Sequence, residues 1–279
     1  MSAKLTNDEI ALYDRQIRLW GMEAQQRLRS ANILLINLSG VGTEVAKNLV
    51  LGGIGALTVL DSHTVIAEDL SCQFFQTEAD IGTSRVGAAL ARIQELNNRV
   101  VLTSETRSLS DVDEVWFGQF DIVIATELGR NEIVAVNDAC RRHRVPFYAA
   151  GLHGLFGYVF VDLIEHRSTK VKPVNNKKLT PVGTVVNGVK TVVAVEAVED
   201  KKVKPTEERV TVLDTYRPFR DTFLSTQLPQ QLNRRQLKQL TPALPIILAL
   251  FSQPRPAHVS QTIETFALSK EEVFRATEN

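Results

Sequence analysis

A chain of 279 residues can hold one large domain or two small ones around a sizeable core. Its 32 basic and 32 acidic side chains cancel, so no whole-chain charge marks it as a binder of nucleic acid or of an anionic membrane. Cys72 and Cys140 are the only cysteines; without a CxxC pair or a histidine cluster they exclude a disulfide framework and a structural zinc site, and point to a reducing compartment. The opening MSAKLTNDEI has no signal-peptide core, and the apolar run LPIILALF (Leu244–Phe251) is too short to span a bilayer. The expectation is a soluble intracellular chain.

Thr6, Asn7 or Asp8 is placed to cap a helix whose apolar residues Ile10, Tyr13, Ile17 and Trp20 share one face, with Gly21 as its stop. A second helix, Met22–Arg29, leads into ANILLIN, a continuous apolar run of the kind found in buried parallel strands. There follow a glycine turn, a helix over Thr43–Leu51, the turn GGIG and the strand ALTVLD. Further on come the helix SRVGAALARIQELN, the strands VVLTSE and FDIVIAT, the helix NEIVAVNDACRRH, the strand VPFYAAG and a hairpin-like LFGYVFVDL. Strands alternating with helices of this length predict a Rossmann-like α/β fold, a mostly parallel sheet with helices on both faces. After Arg167 the chain becomes rich in Lys, Val, Pro, Gly and Asn, and a hairpin is expected around Asn187–Gly188. The division expected is an N-terminal helical segment (1–31), the α/β part (32–167), a flexible linker or insertion (168–209) and a helical C-terminal part (210–279). The basic runs KKLTPVGTVVNGVK and NRRQLK read as solvated surface, and Cys140 as a packed core residue.

The turn after ANILLIN invites comparison with a phosphate-binding loop. Such a loop needs glycines so that backbone can approach a pyrophosphate and turn into a helix whose free N–H groups hold the anion. An acid about twenty positions further on then bonds the ribose, and Asp61 fits that place. The loop itself, NLSGVGTEV, keeps Gly40 and Gly42 but has no further glycine. Taken alone it is as compatible with a structural turn as with a dinucleotide site.

Read in order, YDRQIRLWG, GVGTEVAKNLVLGGIGALTVLDSHTV and EDLSCQFF resemble the activating enzymes of ubiquitin-like proteins, from Tyr13 to about Arg167. Working members of that family place ATP and magnesium with a GxGGxG loop, an acidic strand end, an NLNRQF segment and a later Asp-Asn pair, and adenylate the modifier's C-terminal glycine. Against that pattern, Asn37 and Ser39 stand where the first two loop glycines belong, and His63 replaces the second strand-end acid. Ser71 and Cys72 replace the Asn and Arg that face phosphate, Glu127 and Leu128 replace the Asp-Asn pair, and Arg85 replaces a lysine. Losing an arginine removes a bidentate cation, and a side chain at a crowded glycine position blocks approach to phosphate. The resemblance therefore implies a degenerate pocket that holds no cofactor and no metal of its own.

In heterodimeric members the inactive copy lends an arginine from the YDRQIRLWG segment to its partner's ATP site, as phosphoryl chemistry elsewhere uses arginines in trans. The match assigns that role to Arg15, with Arg18 as second candidate, and makes Trp20 an interface or core anchor rather than a nucleotide stacker. The SUMO small subunits and the neddylation regulatory subunits both begin this way. The short stretch between Arg167 and Val210 favours the SUMO branch, since the neddylation subunits carry a large helical insertion. The implied partners are the catalytic large subunit with its ATP, magnesium and thioester cysteine, SUMO through the complex, and a conjugating enzyme indirectly; the pathway places it in the nucleus, with the cytoplasm as a second compartment. The readings from other classes are a self-sufficient adenylating or NAD-dependent enzyme, and a scaffold with no part in chemistry.

Overall fold

The computed structural model describes residues 5–174, 179–186, 190–198, 207–223 and 233–239, together with Leu244, Ile247 and Phe251. Its first element, α1 (Asn7–Leu12), starts in a capping box in which Thr6 and Glu9 satisfy each other's backbone N–H groups. The single helix expected up to Trp20 is broken at Tyr13, and α2 runs over Asp14–Trp20. The cause is tertiary: Tyr13 is buried, and its hydroxyl accepts a hydrogen bond from Asn97 Nδ2 at 2.8 Å. α3 (Met22–Ser30) then delivers the chain to β1 (Asn32–Ile36).

The expected sheet is present. β2 (Ala56–Leu60), β3 (Val101–Glu105), β4 (Ile122–Thr126), β5 (Phe147–His153) and β6 (Phe156–Asp162) join β1 in the order β3-β2-β1-β4-β5-β6, and β1 through β5 pair in parallel. Alternate residues of β1 feed two cores. Ile33 and Leu35 meet α4 (Gly40–Gly52) and α5 (Arg85–Leu96) through Ala46, Val50, Val86, Ala89 and Ile93. Leu34 and Ile36 belong to the core of α7 (Arg130–Arg142), with Ile133, Val136, Cys140, Phe147 and Phe219; the short α6 (Glu114–Phe117) adds Phe117. α4 begins three residues before the expected Thr43 and ends on Gly53 at φ +76°, where a Cβ would lie 2.4 Å from the Tyr13 ring.

Two compact units emerge, one drawn from Met1–Phe160 and Phe219–Asn279, the other from Val161–Pro218. The second corrects the expectation of an irregular linker over 168–209 and of helix from 210. β7 (Glu165–Pro173), β8 (Val185–Val186), β9 (Lys190–Val198) and β10 (Glu207–Thr215) form an antiparallel sheet ordered β7-β10-β9-β8. Val192, Glu208, Val210 and Asp214 are buried in it, and Glu208 holds Thr180 through its backbone N–H and hydroxyl. The valine-rich segments are good strand formers, which outweighed the surrounding lysines and prolines. The hairpin expected around Asn187–Gly188 is present in its flanks, where β8 pairs antiparallel with β9, while its turn lies outside the described residues, as do most of 224–279. A short α8 (Phe219–Phe223) and a helix at Arg234–Gln239 are described beyond β10.

Candidate functional site

In a sheet of this order the chain changes direction between β1 and β4, and ligands bind beyond the strand ends there. That crevice is built from Asn37 and Ser39 after β1, Asp61 after β2, Glu127 after β4, and the start of α4. Asn37 (φ +70°) and Glu127 (φ +54°) both hold left-handed backbone. The two strand ends are tied together: Asn37 Nδ2 donates to the Thr126 carbonyl at 3.1 Å, and Thr126 Oγ1 donates to the Asn37 carbonyl at 2.7 Å. Gly42 is fixed by this turn, because a Cβ there would lie 2.1 Å from the Asn37 carbonyl oxygen. A Cβ at Gly40 would meet the Cys72 side chain only at 3.4 Å, an ordinary contact.

Asp61, the ribose acid of the sequence comparison, is fully engaged inside the chain. Its Oδ2 accepts from the Leu38 N–H at 2.9 Å and from Arg85 Nη1 at 3.3 Å. Its Oδ1 accepts from the His63 N–H at 2.9 Å and meets His63 Nδ1 at 2.7 Å. Burial pushes the Asp61 carboxyl up, but His63, Arg85 and the two backbone N–H groups outweigh it and the net direction is down. His63 is raised, chiefly by its hydrogen bond to Asp61.

Arg85, which replaces the expected lysine, reaches further than sequence comparison indicated. Its guanidinium grips Asp69 bidentately, with Nη2–Oδ1 at 3.0 Å and Nε–Oδ2 at 3.2 Å, while its third nitrogen takes Asp61. Asp69 sits in a short 3₁₀ helix at Ala67–Ser71, and its Oδ2 also accepts the Ile66 N–H. This acid escaped the sequence reading; the signal was the arginine, which needs an anion wherever it is buried. The Cys72 thiol is pushed up by burial of its sulfur and by the charges of Asp69 and Glu127. Ser39, the N-cap residue of α4, turns its Oγ to the Glu127 carboxylate instead of to the helix. As these residues stand, the Asp61 carboxylate is paired within the chain and the Glu127 carboxylate lies beside Ser39 at the helix start.

The N-terminal arginines are elsewhere. Arg18 pairs with Asp14 one turn back at 3.0 Å. Arg15 is exposed and, among the described residues, has neither an ion-pair nor a hydrogen-bond partner. Helix α2 is fastened to the far end of α4: Gln16 Nε2 donates to the Leu51 carbonyl at 3.2 Å, and Tyr13 packs on Gly53. Leu51 lies twelve residues along α4 from Ser39, about 18 Å at 1.5 Å per residue. Trp20 is not a core residue: it is 42% exposed, with its indole N–H donating to Gln25 Oε1. Cys140 is fully buried, as expected. Among the described residues no cluster of His, Cys, Asp or Glu is arranged to hold a metal ion, and no helix is long and apolar enough to cross a membrane.

Residues 13–240 match the ThiF family model. The chain is 43% identical over 247 residues to DNA damage tolerance protein RHC31 of Saccharomyces cerevisiae, covering 88% of this chain and 71% of that one. It is 45% identical over 172 residues to DNA damage tolerance protein rad31 of Schizosaccharomyces pombe, 62% and 56% of the two chains. Human SUMO-activating enzyme subunit 1 is 41% identical over 168 residues, 60% of this chain and 49% of that protein. The chain thus spans about half the length of the SUMO-activating enzyme subunits it matches. A match that begins at Tyr13 on the arginine-bearing helices and runs through both sheets assigns the chain: it belongs to the ThiF family.

Proposed function

We propose that this chain is the non-catalytic subunit of a heterodimeric SUMO-activating enzyme, and that its larger partner holds ATP, magnesium and the thioester cysteine. The observation that carries the reading is the placement of Arg15. An arginine side chain extends roughly 7 Å, while about 18 Å of α4 separates Arg15's attachment from the pocket of its own chain. A cation so placed lies beyond reach of its own chain's pocket and is free to meet a site on another molecule. The names of the relatives support the pathway, and the internal pairing of Asp61 and Arg85 supports an own pocket without nucleotide. Adenylation of the SUMO C-terminal glycine then belongs to the partner, and no step passes through this chain's pocket. The nucleus is the compartment this pathway implies.

The reading is tested by SUMO-dependent ATP–pyrophosphate exchange, with this chain alone and with the large subunit added. Exchange is expected only in the mixture. Exchange by the chain alone would overturn the non-catalytic assignment and revive the self-sufficient adenylating enzyme.

A further inference from the structure

Helix α2 carries Arg15 without a buried face: none of its seven residues is buried, and seven residues are too few to hold a helix in water on their own. A surface helix ordinarily rides on an apolar stripe. What fastens α2 instead is the C-terminal turn of α4, whose last carbonyls find no donor inside their own helix. Three consecutive ones are taken by side-chain amides from other elements. The Val50 carbonyl accepts from Asn97 Nδ2 at 3.0 Å, the Leu51 carbonyl from Gln16 Nε2 at 3.2 Å and the Gly52 carbonyl from Gln25 Nε2 at 3.0 Å. Gln25, on α3, is fully buried and uses its amide at both ends: while Nε2 holds Gly52, Oε1 accepts the indole N–H of Trp20, the last residue of α2, at 3.0 Å. Asn97 Nδ2 also donates to the hydroxyl of Tyr13, the residue that opens α2. Tyr13, Gln16 and Trp20 follow at helical spacing, so the ties lie along one face and fix the roll of the helix as well as its axis. Arg15 precedes Gln16 by one residue, about 100° around the helix. The roll therefore sets where its exposed side chain leaves the surface.

We propose that Gln25, with Gln16, is a positioning residue for Arg15: the two amides lock α2 onto the end of α4 and so aim the arginine at a site outside its own chain. The inference rests on the reading of Arg15 as a cation lent to the partner's polyphosphate. It gives a buried glutamine a purpose, since an amide taken out of water is costly unless each end is bonded, and both ends of Gln25 meet a different helix. It also states why the aim matters: a group that must meet a transferring phosphate at hydrogen-bond distance loses most of its effect when its attachment shifts by about 1 Å.

The test is a double-mutant cycle in the assembled heterodimer, read as turnover in SUMO-dependent ATP–pyrophosphate exchange. Gln25→Met and Gln16→Met keep the reach of the side chain and remove its hydrogen bonds. Each is expected to lower turnover about tenfold with subunit association unchanged, and to lower it by no more than about twofold when Arg15→Ala is already present. In the free chain, hydrogen exchange at the amides of residues 17–21 is expected to quicken in both variants while the amides of β1 stay protected. The same fold loss with and without Arg15 would make the glutamines merely structural and overturn the inference. Undiminished turnover in either variant, or unchanged protection of the α2 amides, would overturn it as well. Should Gln25→Met fail to fold, Gln16→Met, which loses a single hydrogen bond at the surface, decides alone. Full turnover by Arg15→Ala itself would overturn the reading of Arg15, and with it this inference.

Discussion

Arg85 stands between two carboxylates that solvent scarcely reaches, its own side chain 9% exposed, Asp69 likewise and Asp61 not at all. Such a cluster adds little net stability compared with apolar residues of the same volume, but removing one member leaves an uncompensated charge inside the protein. Arg85→Met is therefore expected to lower unfolding stability by about 3–5 kcal/mol, measured by urea denaturation. Adding Asp61→Asn and Asp69→Asn should recover most of the loss; a single-variant loss below about 1 kcal/mol would show that the clamp is dispensable. Asp61 was legible in the sequence because its distance from the glycine turn is set by one helix and one strand. Asp69 was not, since its pairing with Arg85 crosses sixteen residues through a 3₁₀ turn that leaves no period. The left-handed backbone of Asn37 and Glu127 was equally silent, because side-chain identity indicates such a conformation plainly only at glycine.

The N-terminal helices illustrate how tertiary contacts override periodicity. Ile10, Tyr13, Ile17 and Trp20 have the spacing of one helical face, yet burying Tyr13 against Gly53 and Asn97 breaks the run into α1 and α2. Replacing Tyr13 by Phe removes one of the two acceptors of Asn97 Nδ2, the other being the Val50 carbonyl, and should cost about 1 kcal/mol. Hydrogen exchange should register that loss in the amides of α1 and α2 and leave those of β1 and β4 protected. Equal deprotection of all four elements would mean that the two helices are an inseparable part of the core. The hairpin read around Asn187–Gly188 is present as the antiparallel pair β8 and β9, whereas β10 lies where linker and helix were expected, its valines alternating among charged residues.

For the molecule as a whole, the parallel sheet and its two cores followed from the alternation of strands and helices, whereas the antiparallel sheet of Val161–Pro218 was hidden by its composition. The arrangement is a separation: α4 starts at Ser39, whose hydroxyl donates to Glu127, and its other end carries α2 with Arg15. Around Arg15 lie exposed apolar residues, Leu12 at 58% and Leu19 at 78%, as expected of a surface that is covered in an assembly. An arginine aimed at a partner's polyphosphate gives transition-state stabilisation comparable to one preorganised donor, about 2–4 kcal/mol. The most direct measurement is SUMO-dependent ATP–pyrophosphate exchange in the assembled heterodimer carrying Arg15→Ala or Arg18→Ala. Arg15→Ala should lower exchange about a hundredfold with subunit association unchanged, and Arg18→Ala should leave it within about twofold. Full exchange by an intact Arg15→Ala complex would contradict the account and reduce this chain to a scaffold.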